Sequence, residues 1–511
     1  MQQYPLWLLI TVFAAYMAAM FAVSRLTSRK LTAKSFFSGD RKAPWAVVAY
    51  GMVGTVISGV TFVSVPGNVM KQNFYYMPLV FGFVVGYIII AKVLLPLYYR
   101  MNITSIYAYL GIRFGERTHK TGSAVFLVSR VLGAAVRIFV VTLVLYTFVP
   151  KGGEWQAHSA LDISVFALVT FVFLAVLYLY TYRGGVKTVI WTDVLQTTFM
   201  LLAVLMTIIF VCQKMDWGFA DMVSAVANGK NPNIEGTHFC DLVDMRWDSA
   251  TNIFKQLVAG VFISIAITGL DQAMMQKSLA CADIKSAQKN FYSSSAIQIA
   301  VNYFFLLLGA LLCMYVDKIG GMEALGITKT DEIFPAVASR YMGLFAGTFF
   351  LVGLISASYP SAANALTSLT TSFCVDFLKF ETRADISEGR KVVLRNLVHA
   401  GFATLFFLLI VFFYVASNDA VINLVYKLAS YTYGPLLGFF LFGIFTKRPI
   451  RDGAAPYIAV AAPVLCFAIN EGLRAGLGFD LGFTLLIVNG ALTCLALWVC
   501  GIGANPKRGA A

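Results

Sequence analysis

Apolar runs long enough to cross a bilayer follow one another from residue 5 to residue 502, and nothing else in the chain restricts its fold so severely. A lipid core offers the backbone no hydrogen-bonding partner, so each run of about 20 apolar residues must satisfy its own N–H and C=O groups, as a helix does. Such runs lie near 5–23, 44–66, 76–98, 121–149, 161–181, 188–212, 253–274, 291–316, 341–373, 396–416, 421–445, 455–475 and 482–502, about thirteen in all. The 511 residues are 59% hydrophobic and 13% charged, with a mean hydropathy of +0.76, too apolar for a polar surface to enclose. An all-α polytopic membrane protein embedded in a lipid bilayer is expected, with no soluble domain left over.

A net charge of +14 would suggest nucleic acid in a soluble protein, so its distribution decides. With the N-terminus outside and the C-terminus cytoplasmic, the first inner loop holds Arg25, Arg29, Lys30, Lys34, Arg41 and Lys42. About 25 of the 39 basic residues then fall inside and about ten outside, the positive-inside bias. This argues against a nucleic-acid partner and for a bacterial inner membrane; no obligate protein partner is expected. The first run follows an uncharged Met1-Gln2-Gln3-Tyr4-Pro5 start, the reverse of a cleavable signal peptide, and reads as a retained span. His119, His158, His238 and His399 are far apart, and the eight cysteines are scattered, so no zinc or haem spacing appears. Only Cys212 and Cys240, both on the outer side, could pair. The connection from about 213 to 252 is the largest outer loop and is expected to carry a short helix or two, as a lid or spacer.

Inside this apolar frame one carboxylate stands out. Asp193 lies about half a dozen residues into a span, where insertion costs roughly 2.5 kcal/mol or more, so an intramembrane Asp is a functional residue by default. Arg183, Lys187, Thr192 and Gln196 are the neighbours expected to support it. The second span carries Gly51, Gly54 and Gly59, then Pro66-Gly67, with Thr55, Ser58, Thr61 and Ser64 threaded between. The seventh repeats the theme with Gly260, Ser264, Thr268, Gly269 and Asp271-Gln272. Breakers at membrane depth are tolerated where the freed backbone lines a cavity or is buried in protein. Two interrupted segments five helices apart, in opposite orientation, are the pattern of inverted-repeat secondary transporters, although helix packing also selects small residues. The ninth span is rich in hydroxyls from Ser356 to Ser372, with Pro360 freeing a carbonyl beside Ser361; such groups suit a weakly bound alkali cation.

The cassette Gly184-Gly185, Trp191-Thr192-Asp193 and Gln196, with Asp271-Gln272, Gln276-Lys277, Leu366 to Thr371, Asp376 and Tyr433 to Gly443, resembles the sodium:solute symporter family. The resemblance runs nearly end to end. It implies a LeuT-like fold with Na+ as coupling ion: two inverted five-helix repeats over 44–212 and 253–446, preceded by a first span and basic loop (1–43). The outer loop (213–252) joins the repeats, and two additional spans and a short tail (447–511) follow. By resemblance the shared sodium site takes backbone carbonyls from Gly54, Ile57 and Ala357 and a hydroxyl from Ser361. Where the family has two adjacent serines this chain has Pro360-Ser361. A second sodium in some members sits near the carboxylate corresponding to Asp193, but the matching hydroxyl positions here are Ala363 and Asn364. Asn364 remains a possible ligand through its amide oxygen, and Asp193 reads first as a buried anchor or coupling residue.

For the solute, Arg137 and Arg130 lie two turns apart on one face of the fourth span. Arg130 is expected to meet carbonyls or snorkel, whereas Arg137 lies too deep and has the planar fork that suits a carboxylate. The sialic-acid-type branch of the family implies Arg137, Ser58 and Thr61 as the clamp on a solute carboxylate. A further polar position of that branch falls here on an apolar stretch around Val80. Lys427 is a candidate to pair with the solute or with Asp419, and Asn302 with Gln298 to line the cavity, although structural roles rank first for all three. The expected activity is sodium-coupled symport of a small, carboxylate-bearing solute such as sialic acid, another sugar acid or a monocarboxylate. A proton-coupled or uncoupled carrier of the same fold for a neutral sugar or amino acid, and a membrane nutrient sensor, stay open. No nucleophile and base set indicates an enzyme.

Overall fold

The computed structural model describes residues 6–27, 33–149, 159–383, 385–416, 419–478 and 481–502. Its membrane-crossing elements, numbered in chain order, are α1 (Leu6–Thr27), α2 (Trp45–Val56), α3 (Gly59–Gln72), α4 (Met77–Met101), α5 (Glu116–Thr147), α6 (Ala160–Tyr182) and α7 (Gly185–Met215). There follow α8 (Ile253–Gly269), α9 (Gln272–Leu279), α10 (Ile284–Lys318), α11 (Gly343–Phe377), α12 (Glu388–Ala416), α13 (Asp419–Phe445), α14 (Ala455–Leu477) and α15 (Leu485–Cys500). Among the described residues nine helices are long and apolar enough to cross a membrane, or up to eleven when each bent pair counts as one span. Two shorter apolar helices, Tyr431–Phe445 and Leu485–Cys500, stand in the eleventh and thirteenth apolar runs.

Both interruptions expected from the sequence are real bends: α2 meets α3 at 63°, and α8 meets α9 at 68°. Between α6 and α7 the chain kinks at Gly185, whose φ of +51° places it in the left-handed region. A side chain there would also run into Phe36, so glycine is required twice over.

Helix ends differ from the apolar runs because polar turns extend beyond the hydrocarbon. α5 begins at Glu116, five residues before its apolar run, because Asp452 reaches across from the α13–α14 connection to accept from Arg117 N (3.0 Å) and Thr118 N (2.7 Å). A carboxylate at a helix N-terminus satisfies otherwise orphaned N–H groups. The connections on that side hold Arg41, Lys42, Arg113, Lys379, Arg383 and Arg451, and Arg100 ends α4 there, so it is called the basic end below. The opposite, acidic end holds the 216–252 loop.

That loop carries one helix, Phe219–Asn228. Beyond it Asn231 donates to Asn73 Oδ1 at 2.7 Å and to the carbonyls of Val69 and Met70 at 3.2 Å, tying the loop to the end of α3. Arg246 pairs with Asp244 at 3.0 Å, and this partner holds the Asp244 carboxyl well below the usual range. Cys212 and Cys240 are both free thiols; Cys240 donates to Ala227 O instead.

Candidate ion and solute site

The first break starts with glycine. Gly51 and Gly54 let α2 lie directly on α7: a Cβ at Gly51 would stand 3.0 Å from Asp193 Cβ, and one at Gly54 would strike the Thr197 side chain. α2 then ends at Ile57 (φ −82°, ψ 92°), whose N–H bonds Val53 O, and the extended Ser58 caps α3 by accepting from Thr61 N at 3.4 Å. A helix leaves its last carbonyls without intrahelical partners, so Gly54, Thr55 and Val56 present free carbonyls at the break.

Beside it is a small cavity between the break, α5 and α11, lined by Ser58, Gly59, Arg137, Ser358 and Ser361, with room for about one water-sized sphere. Arg137 is half-buried and has no ion pair or hydrogen bond among the described residues, and neither has the Ser361 hydroxyl. The Ser358 hydroxyl donates back to Leu354 O at 2.6 Å. Thr61 lies one turn from Ser58, hydroxyl to hydroxyl at 3.2 Å. Ala357 is buried in α11, which passes through Pro360 unbroken. Proline at 360 removes the N–H that Ser356 O would accept, so the freed carbonyl is that of Ser356, one residue before Ala357. Gln298 is buried on α10, does not line this cavity and receives Asn302 Nδ2 on its main-chain oxygen at 2.8 Å, a local helix contact. The side chains of Lys427 and Asp419 lie outside the described residues.

Asp193 is fully buried, about 12 Å along α7 from its start at the usual helical rise. Its partners are not the neighbours expected. Thr192 bonds back to Val189 O (3.1 Å), and Gln196 meets Met20 Sδ (3.5 Å). Lys187 lies six residues before it, nearly two turns along the helix; the Arg183 side chain lies outside the described residues. Asp193 Oδ2 instead receives the ammonium of Lys277 from α9, together with Thr55 Oγ1 (3.1 Å) and Asn364 Nδ2 (3.4 Å). Lys277 also donates to Thr55 Oγ1, and Asn364 to Pro360 O. The amide nitrogen of Asn364 therefore faces the carboxylate, not the oxygen expected to ligate a cation.

Lys277 is the residue that span counting missed. The apolar run ends near 274, which leaves Lys277 at the membrane edge; the bend at Asp271 returns it to the bundle centre, where it is 2% exposed. The signal available was the Gln276-Lys277 pair itself.

The second break is closed by protein groups. Asp271 caps α9 by accepting from Ala273 N (2.9 Å) and Met274 N (3.3 Å). Arg130, expected to snorkel, pairs with Asp271 at 3.4 Å because the bend presents that carboxylate to it, and Tyr433 donates to the same oxygen at 3.2 Å. Tyr107 donates to Leu270 O and Tyr98 to Gly269 O, at 3.0 and 3.2 Å. Further toward the basic end, Asp376 accepts from Ser105, Ser123 and Ser372 at 2.7 to 2.9 Å and meets His119 Nε2 at 2.9 Å. No group of histidine, cysteine and carboxylate side chains among the described residues could hold a metal ion by itself, so a cation here depends on carbonyls and hydroxyls.

Two helices bent at depth in an apolar bundle, one of them beside an ion-sized cavity that holds Arg137 and three serines, are the arrangement of a membrane carrier. The chain belongs to the sodium:solute symporter family, whose model matches residues 36–457. It is 24% identical to the sodium/sialic acid symporter SiaT of Proteus mirabilis over 94% of this chain and 92% of that one. Against the sodium/sialic acid symporter NanT of Aliivibrio fischeri the identity is 23%, over 94% and 91%. A solved Na+-coupled sialic acid symporter, in a substrate-bound outward-open state, superposes with a TM-score of 0.79 at 20% identity over 98% of both chains, which establishes the LeuT-like fold. Sodium-coupled symport of an organic solute by a multi-pass membrane protein follows from the family.

Proposed function

We propose that the solute is a small organic anion, sialic acid or another sugar acid or monocarboxylate, whose carboxylate is gripped by Arg137 with Ser58 and Thr61. The observation that carries this reading is Arg137 itself: a guanidinium without a counterion among the described residues, on the wall of the cavity that also exposes Ser58 and Ser361. A half-buried cation left unpaired in an apolar bundle carries a desolvation cost, and a bidentate carboxylate is its natural partner. The two relatives described above carry sialic acid in their names. Sodium takes the carbonyls of Gly54 and Ile57 at the first break and the Ala357 carbonyl and Ser361 hydroxyl of α11.

In this reading the basic end faces the cytoplasm of a bacterial inner membrane, with the N-terminus outside. Sodium organises the break, the solute closes the outer side, and the repeats 44–212 and 253–446 rock to expose both ligands inward. A tenfold sodium gradient supplies about 1.4 kcal/mol. The membrane potential supplies roughly 2.3 kcal/mol per charge per 100 mV, but one sodium with one monoanion moves no net charge.

Uptake into proteoliposomes of labelled acids, sugars and amino acids, with and without an inward sodium gradient, tests it. Sodium-dependent accumulation of an acid, lost in Arg137→Ala, is expected. Accumulation that ignores sodium and follows pH, or an Arg137→Ala variant that still carries the acid, overturns it.

A further inference from the structure

We propose that the Lys277 ammonium is a tethered cation occupying the place beside Asp193 where a second sodium would otherwise bind, so that the chain couples one sodium to each solute. This rests on the sodium-coupled reading of the Ser361 site.

The geometry is that of an occupied cation position. Asp193 Oδ2 and Thr55 Oγ1 converge at the end of α2 and both receive the ammonium directly, while the Asn364 amide joins Asp193 Oδ2 to the Pro360 carbonyl. Asp193 and Lys277 are both buried, 0% and 2% exposed, and form the pair across α7 and α9. Oxygen donors of this kind, one carboxylate with a hydroxyl and a carbonyl, are what a hard cation takes. Asn364 lies three residues beyond Ser361 on α11, so the two cation positions are about one helical turn apart, roughly 5 Å. Asp193 Oδ1 is likewise buried and has no hydrogen-bond partner among the described residues, which leaves the carboxylate with ligating capacity that Lys277 does not use. A mobile sodium at Oδ2 would have to displace an ammonium that cannot leave, because the bend at Asp271 and the cap on α9 hold Lys277 in place.

Removing the tether should open the site. In Lys277→Met the carboxylate, Thr55 and the Pro360 carbonyl remain, and a second sodium is expected to take the vacated position.

The test measures sodium activation of uptake and the transport current in proteoliposomes, with a monoanionic solute that the wild type carries. Wild type is expected to give a Hill coefficient of one and no net current, and Lys277→Arg the same. Lys277→Met is expected to rise towards two with an inward current, and Lys277→Met combined with Asp193→Asn to return to one. If Lys277→Met does not fold, the wild-type current decides alone: a current of one charge per monoanionic solute overturns the proposal, and electroneutral uptake supports it. A folded Lys277→Met variant that keeps a Hill coefficient of one also overturns it. Absence of sodium-dependent uptake in wild type would instead overturn the reading of the Ser361 site.

Discussion

The chain bends twice through nearly the same angle, 63° between α2 and α3 and 68° between α8 and α9, and the two bends are finished in opposite ways. At the second, Asp271 caps the following helix, Arg130 and Tyr433 meet Asp271, and Tyr98 and Tyr107 take the exposed carbonyls. At the first, the carbonyls after Val53 end α2 at the break, the Ser361 hydroxyl lines the adjoining cavity, and Arg137 stands on its wall without a partner among the described residues. Unmade hydrogen bonds at membrane depth cost several kcal/mol unless a ligand completes them. The difference teaches which break is scaffold and which is site: the filled break fixes α9, and α9 in turn delivers Lys277 to the open one.

The comparison is broken most forcefully at Asp271. Asp271→Ala strips the cap from α9 and leaves Arg130 buried without its carboxylate, which should cost about 3–5 kcal/mol of stability. Thermal melting of the detergent-purified protein checks it; a variant with unchanged Tm would mean that the second break is not scaffold. Arg137→Ala should behave in the reverse way, weakening binding of an anionic solute by about 1.5–3 kcal/mol, roughly 10- to 150-fold, while Tm stays within a degree or two. Equilibrium binding of labelled solute at saturating sodium reads this directly. If sodium sits where we propose, Ser361→Ala removes its one side-chain hydroxyl ligand, and the sodium concentration for half-maximal uptake should rise about tenfold, about 1.4 kcal/mol.

Much of this was legible beforehand, and for identifiable reasons. Bilayer thickness makes spans readable as runs, and breakers at depth have few permitted explanations, so both bends could be placed from Gly54 to Gly59 and from Gly269 to Gln272. What could not be read were contacts made by residues brought together only by bending. Asp193 announced itself as a buried charge, yet its counterion lies 84 residues away on a helix whose apolar run ends before reaching it. Arg130 looked like a snorkelling residue because Asp271 comes within reach only through the second bend. The Asp452 cap on α5 is invisible for the same reason: hydropathy reports where a helix must be apolar, and says nothing of which distant carboxylate starts it. The Asn364 amide presents its nitrogen to Asp193 because three donors crowd around one carboxylate oxygen, an orientation that residue type alone leaves undecided.

The smallest expected effect sharpens the comparison best. Tyr107→Phe removes a single hydroxyl from the filled break and leaves Leu270 O without the donor that stands 3.0 Å away. The ring is fully buried and packs against Phe126 at 5.3 Å between centroids, so the phenylalanine should keep its place. The loss is then one neutral hydrogen bond, about 1 kcal/mol. If the second break is purely structural, that loss appears as a small drop in Tm, with sodium half-saturation and solute affinity unchanged. Should Tyr107→Phe move the sodium dependence while leaving Tm alone, the Leu270 carbonyl would be taking part in coupling, and the division between a filled break that holds the fold and an open break that binds would no longer stand.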